Sequence, residues 1–229
     1  MPAKNRVKTY IEGGYYHLYN RGVEKRKIFL DQQDYNVFLS YLKEYLSPKD
    51  EESLHERLND PALSPRERDK ILKTLRMNNF SNEITLLAYC LMPNHFHFFI
   101  KQKSPMSINK FMQSLATRYT MYFNRKYKRI GFLYQDIYKA VLVASEPQFI
   151  YISKYIHRQA LLKLQGSTLE AQPCSFGEYV GERETEWVNP QEVLSYFSKS
   201  NPTLSYKSFV LQNPTEDEAI TLNNLTLED

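Results

Sequence analysis

Apolar positions along this chain recur with two different periods, and the changes of period mark out its elements. Tyr15-Tyr16-His17-Leu18-Tyr19-Asn20-Arg21 has strand character between Gly13-Gly14 and Gly22. Tyr35, Phe38, Leu39, Leu42 and Leu46 then return at helical spacing behind Asp31, a candidate N-cap, which predicts an amphipathic helix over 31–46. Residues 47–82 are charged and carry Pro48, Pro61 and Pro65. Leu54, Leu58, Ile71, Leu72 and Leu75 still fit a helical period there, so one or two short surface helices are predicted as an insertion. Residues 83–91 read as a strand, Pro93-Asn94 as a turn, and His95 to Lys101 as the returning strand of an antiparallel hairpin.

Ser107 is placed to cap a long helix to about Tyr127, with Ile108, Phe111, Met112, Leu115, Tyr119, Tyr122 and Phe123 as its stripe. A strand-like run follows over 132–143, and Ser145 opens a helix to about Leu164. Beyond Gly166 the pattern weakens. Short helices are predicted near 190–197 and 206–211, and the polar, acidic residues after Pro214 are predicted to be disordered. This order predicts an α+β fold: a ferredoxin-like sheet of about four antiparallel strands with helices on one face, a helical insertion and a helical C-terminal extension. The predicted division is a domain over 1–165, an extension over 166–213 and an acidic tail over 214–229, with residues 1–12 as a basic arm.

Charge adds a direction. The net charge of the 229 residues is +4, but nothing after Lys207 is basic. The five acidic residues there (Glu216, Asp217, Glu218, Glu228 and Asp229) leave residues 1–207 at +9. A basic body with 18 tyrosines and 13 phenylalanines suits a nucleic-acid partner, through backbone charge and base stacking. No signal peptide is seen and no apolar run approaches a bilayer's thickness, so no membrane partner is expected. Of the two cysteines, Cys90 lies in an apolar strand pattern and reads as buried and free; a reducing cytoplasm is the expected location.

The chemistry centres on Pro93-Asn94-His95-Phe96-His97. On a strand His95 and His97 project from one face and Phe96 from the other. Two adjacent imidazoles can ligate a divalent metal, or can simply stack on a solvated sheet face. A side-chain amide such as that of Gln159 could add a third, neutral ligand. A metal so held keeps its charge, which suits phosphate. Tyr155 lies one helical turn before Gln159 on the same helix face. A metal-assisted phenolate there could attack a phosphodiester and retain its bond energy as phosphotyrosine.

These residues resemble a known family. Pro93-Asn94-His95-Phe96-His97 is similar to the His-hydrophobic-His motif of the single-tyrosine HUH transposases that act on single-stranded DNA, including the REP-associated tyrosine transposases. Tyr155-Ile156-His157-Arg158-Gln159 resembles their tyrosine helix. Tyr16 to Gly22, Arg125-Lys126-Tyr127 and Gly131 to Gln135 also resemble family segments, so the likeness spans roughly 10–165. The resemblance implies a transposase-like endonuclease and strand transferase working through a 5′-phosphotyrosine with Mg²⁺ or Mn²⁺. It implies Tyr155 as nucleophile and His95, His97 and Gln159 as metal ligands. Single-stranded or hairpin DNA would be the partner, with Asn20, Arg21, Arg118, Arg125 and Lys126 at the DNA. Minimal family members are dimers that exchange tyrosine helices, whereas the REP-associated type can act as a monomer. The insertion and the tail with Tyr179, Trp187 and Phe197 exceed a minimal member. Two other readings share the fold: a catalytically silent DNA-binding regulator, and a hydrolase that uses water and leaves Tyr155 structural.

Overall fold

The computed structural model describes residues 10–161, 172–201, 204–223 and 225. Its core follows the order β1 (Tyr15–Arg21), α1 (Gln32–Leu46), α2 (Glu51–Leu58), α3 (Pro65–Arg76), β2 (Ile84–Met92), β3 (His95–Gln102), α4 (Ser107–Lys126), β4 (Lys139–Leu142) and α5 (Glu146–Leu161). Then come α6 (Phe176–Tyr179), α7 (Gln191–Leu194), α8 (Tyr206–Leu211) and α9 (Glu216–Leu222). The four strands form one sheet in the order β2-β3-β1-β4, with antiparallel neighbours throughout. With α2 and α3 set aside, this is the β-α-β-β-α-β path of a ferredoxin-like fold.

Strand alternation divides the molecule into two cores. Tyr16 and Leu18 of β1 and Phe96, Phe98 and Ile100 of β3 face α1 and α4, where they meet Phe38, Leu42, Phe111, Leu115 and Tyr119. Burying each of these side chains contributes roughly 1.5–3 kcal/mol, and the Phe38 and Tyr119 rings add an edge contact at 4.9 Å. The opposite face carries the second core, in which Phe99, Leu87, Ala88, Cys90 and Met92 meet Phe149, Ile152, Ile156 and Ala160 of α5. A bulge between Leu86 and Ala88 turns both Leu87 and Ala88 to this side. Thus α1 and α4 lie on one face as predicted, while α5 and the C-terminal helices cover the other.

Local chemistry explains most boundaries. The Asp31 carboxylate accepts from Asp34 N at 3.1 Å and caps α1. Ser64 and Glu67 form a capping box on α3 with Pro65 at its first turn. The insertion is a solvated face as its mixed charges imply: α2 buries no residue and α3 only Ile71. Ser145 Oγ accepts from Gln148 N at 3.4 Å at the start of α5.

Three boundaries differ from the sequence reading. Ser107 is the first residue of α4 and does not cap it; its hydroxyl is taken by Glu83 at 2.5 Å. Of the run 132–143 only Lys139–Leu142 is strand. Residues before it are drawn away by bonds to β1 and beyond, with Gln135 N donating to Arg21 O and Leu133 O accepting from Val23 N. The expected disorder after Pro214 does not hold for Glu216–Leu222, which form α9, capped by Thr215. Residues 1–9 of the basic arm expected over 1–12, and the end of the helix expected to reach about Leu164, lie outside the described residues.

The extension is built into the sheet. Tyr179 Oη donates to Leu87 O at 3.0 Å, Asn189 N donates to Leu86 O, and Trp187 stacks on Tyr89 at 5.5 Å. Neither cysteine forms a disulfide, and Cys90 is fully buried. Among the described residues no helix is long and apolar enough to cross a membrane.

Gly22 closes β1 where the chain folds back tightly. A Cβ there would stand 2.3 Å from the backbone oxygen of Arg26. Gly22→Ala is therefore expected to cost about 1–3 kcal/mol, because backbone must move to admit the methyl; urea unfolding against wild type checks this.

Candidate active site

The cross-strand register assembles the site on the α5 side of the sheet. Tyr19 pairs with His97 and Arg21 with His95 across β1 and β3. The rings of His95 and His97 lie 4.9 Å apart and nearly perpendicular. His95 Nδ1 is held by Asn94 Oδ1 at 2.6 Å, and Asn94 Nδ2 donates to Lys25 O. An amide oxygen accepts only, so His95 Nδ1 carries a proton and donates it to Asn94.

His97 is fully buried and has a second histidine beside it. His17 Nε2 lies 2.9 Å from His97 Nδ1, with the rings almost parallel at 5.1 Å. His17 Nδ1 meets the carbonyl oxygen of Leu225. Burial pushes His17 down to about 4, partly offset by the Leu225 carbonyl, and pushes His97 well below the usual histidine range, with its neighbours His17 and His95 adding to the effect. Both rings are neutral at pH 7.

Tyr155 faces this group. Its ring stands 5.5 Å from that of His97 and 5.9 Å from that of His17, edge to face in both cases. Three faces of α5 explain the aim. Ile152, Ile156 and Ala160 enter the core against the sheet. Lys154, His157 and Arg158 hold the C-terminal extension. Lys154 pairs with Glu218 at 2.9 Å, His157 bonds to Tyr206 Oη and Ser175 Oγ at 2.7 Å each, and Arg158 donates to the carbonyls of Val210 and Gln212. Tyr151, Tyr155 and Gln159 form the remaining stripe at four-residue spacing. With Lys154 and Arg158 and residues of α9, they line a cavity of about 340 Å³. No histidine lines it, so Gln159 shares a wall with Tyr155 and not with His95 and His97.

Whether these residues suit a divalent cation is decided at His97. Its Nε2 is buried and without a hydrogen-bond partner among the described residues. A neutral imidazole with a solitary buried lone pair fits a metal ligand. His95, on the same strand face and with its ring fixed through Nδ1 by Asn94, stands beside it. Among the described residues no group of three or more His, Cys, Asp or Glu side chains is arranged to hold a metal ion, so a third ligand would be an amide, a substrate oxygen or water.

The residues expected at DNA separate into two groups. Asn20 is nearly buried and ties the loop before β4 to β1, its amide donating to Asp136 O and its oxygen accepting from Arg21 N. Arg21 ends β1 opposite His95 and keeps a buried Nε without a hydrogen-bond partner among the described residues. Arg125 is exposed. Arg118 and Lys126 are committed elsewhere. Arg118 pairs with Glu44 at 2.7 Å and lies 3.7 Å over the Tyr41 ring, while Lys126 bonds Asp31 and Asp34 at 2.8 Å. They brace α4 against α1, where a buried Asp34 needs a cation.

Sequence reasoning missed His17 as a member of the site, although its place between Tyr15 and Tyr19 on one strand face was legible. It also missed an apolar loop. Ile130 and Phe132 are 97% and 87% exposed, beside exposed Arg125 and Lys128. The loop is tied to the Arg21 end of β1 by the backbone bonds of Leu133 and Gln135.

No curated protein matches the chain. Several solved structures are similar, two of them as follows. One is a REP-associated tyrosine transposase bound to a REP hairpin, at 11% identity and a TM-score of 0.46, over 82% of this chain and 92% of that one. The other is a Deinococcus radiodurans R1 protein considered a transposase, at 14% identity and a TM-score of 0.34, over 69% of this chain and 98% of that one. At these scores neither likeness carries weight. The family model described as IS200-like transposase matches residues 59–159, the stretch holding His95, His97, Tyr155 and Gln159, so that segment is similar to the IS200-like transposases.

Proposed function

We propose that this protein cuts and rejoins single-stranded DNA through a covalent bond between Tyr155 and a 5′-phosphate. The observation that carries this reading is the Tyr155 ring set 5.5 Å from His97, whose buried Nε2 has no hydrogen-bond partner among the described residues. In the step proposed, Tyr155 Oη attacks a phosphorus atom and loses its proton to water. The O–P bond forms as the P–O3′ bond breaks, and the departing strand end takes up a proton as a free 3′-hydroxyl. Attack by a 3′-hydroxyl on the phosphotyrosine reverses the step and joins strands without ATP. His95 and His97 would hold a Mg²⁺ or Mn²⁺ ion, with Gln159 as third ligand if its side chain turns from the cavity it lines. Such an ion, when bound, polarises the phosphoryl oxygens and favours the phenolate.

The DNA would lie along the end of the sheet where Arg21 faces His95 and where Arg125, Lys128 and the Ile130–Phe132 loop are exposed. Backbone phosphates suit the arginines, and an unpaired base suits Phe132. Phe132→Ala is expected to weaken single-stranded DNA binding by about 1–3 kcal/mol without changing thermal stability; fluorescence anisotropy with a labelled oligonucleotide measures it.

The reading is tested with labelled single-stranded and hairpin oligonucleotides and Mn²⁺, resolved on a denaturing protein gel. A labelled band at the mass of protein plus DNA supports it. Cleavage with free ends and no such band would instead assign a hydrolase, and metal-independent binding without cleavage a regulator.

A further inference from the structure

His17 lies on β1, outside the segment that matches the family model, and neither strand packing nor the proposed reaction accounts for it. It is a fully buried polar ring, yet both its nitrogens are engaged. Those two contacts determine where the protons sit. The Leu225 carbonyl oxygen can only accept, so His17 Nδ1 carries a proton and donates it there. A neutral His17 then has a bare Nε2, which can only accept. His97 Nδ1, 2.9 Å away, must supply the proton. A neutral His97 with its proton on Nδ1 has its lone pair on Nε2, the atom with no hydrogen-bond partner among the described residues. The opposite assignment would place an N–H donor at that buried position with nothing to receive it, and would set a bare nitrogen of His17 against the carbonyl oxygen of Leu225.

We propose that His17 is a positioning residue that selects the tautomer of His97 and so presents the Nε2 lone pair for a divalent cation. The relay runs from the Leu225 carbonyl through His17 to His97, and therefore couples the C-terminal segment to the ligand atom. The proposal rests on the reading of His97 as a metal ligand. A metal-bound imidazole commonly gives its other N–H to an oriented acceptor, and loss of such an acceptor costs metal affinity. The acceptor on this chain is a second imidazole, itself oriented by a backbone oxygen.

The first test needs neither metal nor substitution. The five histidines are labelled with ¹⁵N, and long-range ¹H–¹⁵N correlation spectra of the metal-free protein report which nitrogen of each ring is protonated. His17 and His97 are both expected as Nδ1–H tautomers. A His97 protonated on Nε2 overturns the proposal.

The second test compares variants by Mn²⁺ titration followed by EPR. In His17→Phe, the His97 tautomer is expected to shift toward Nε2–H and Mn²⁺ affinity to fall by about 10–100-fold. His17→Gln places an amide oxygen where Nε2 stood and is expected to restore both readouts to near the wild-type values. A His17→Phe protein that keeps the tautomer and the affinity overturns the role of His17. His97→Ala separates this from the underlying reading: if it binds Mn²⁺ as wild type does, His97 is no ligand and the proposal falls with it. If only His97→Ala loses the ion, the ligand reading stands and His17 has no part in it.

Discussion

Tyr155→Phe is expected to abolish the protein–DNA adduct while DNA binding and fold persist. The substitution removes one oxygen and leaves the ring, so the edge contacts to His97 and His17 and the packing of α5 remain. Loss of a hydroxyl hydrogen bond alters stability by only about 0.5–1.5 kcal/mol. Loss of the nucleophile of a covalent mechanism costs several orders of magnitude in rate, so cleavage should fall to below about one thousandth of wild type. Denaturing gels with end-labelled oligonucleotide measure the adduct, and anisotropy measures binding in the same samples. Cleavage at the wild-type rate in Tyr155→Phe would eliminate the phosphotyrosine and leave water as the attacking group.

A second large effect is expected from Glu218→Ala. Lys154 is the residue before the candidate nucleophile, and its ammonium is 2.9 Å from Glu218, with the two side chains only 3% and 9% exposed. It also lies 4.6 Å over the Phe209 ring. Removing Glu218 strands a buried cation, which costs roughly 3–5 kcal/mol, most of it the penalty for the unpaired charge. The double variant Lys154→Met with Glu218→Leu is expected to recover much of that loss, because two apolar side chains of similar volume avoid the desolvation cost altogether. Urea unfolding of the three proteins measures the loss and its recovery. A Glu218→Ala loss below about 1 kcal/mol would place the pair in the class of solvent-screened surface bridges. The same contact has a functional side. It docks α9 on α5, and the chain beyond α9 brings the Leu225 carbonyl to His17.

Elements with a strong period and local punctuation were legible in advance. Asp31 before the Tyr35–Phe38–Leu42 stripe, the Pro93-Asn94 turn between two apolar runs, and the insertion with mixed charges all took the expected form, because each is set by contacts within a few residues. The run 132–143 was misread because its apolar residues do not share one environment. Leu133 and Tyr138 are buried, whereas Phe132 and Ile137 are exposed. The acidic stretch after Pro214 was misread for the converse reason: Glu218 is charged, but its partner Lys154 lies 64 residues away on another helix.

The sequence by itself determined the sheet order's raw material, the shared face of His95 and His97 and the shared stripe of Tyr155 and Gln159, since period 2 and period 3.6 follow from backbone geometry alone. Only the tertiary structure decided that α5 lays Tyr155 against the histidines of its own chain, that Arg118 and Lys126 serve α1, and that His17 stands beside His97. The bond from His17 to His97 joins positions 80 residues apart and that from His17 to Leu225 joins positions 208 apart. Contacts of that range depend on strand register and helix docking, which no local pattern encodes, because they are fixed by how whole faces pack together.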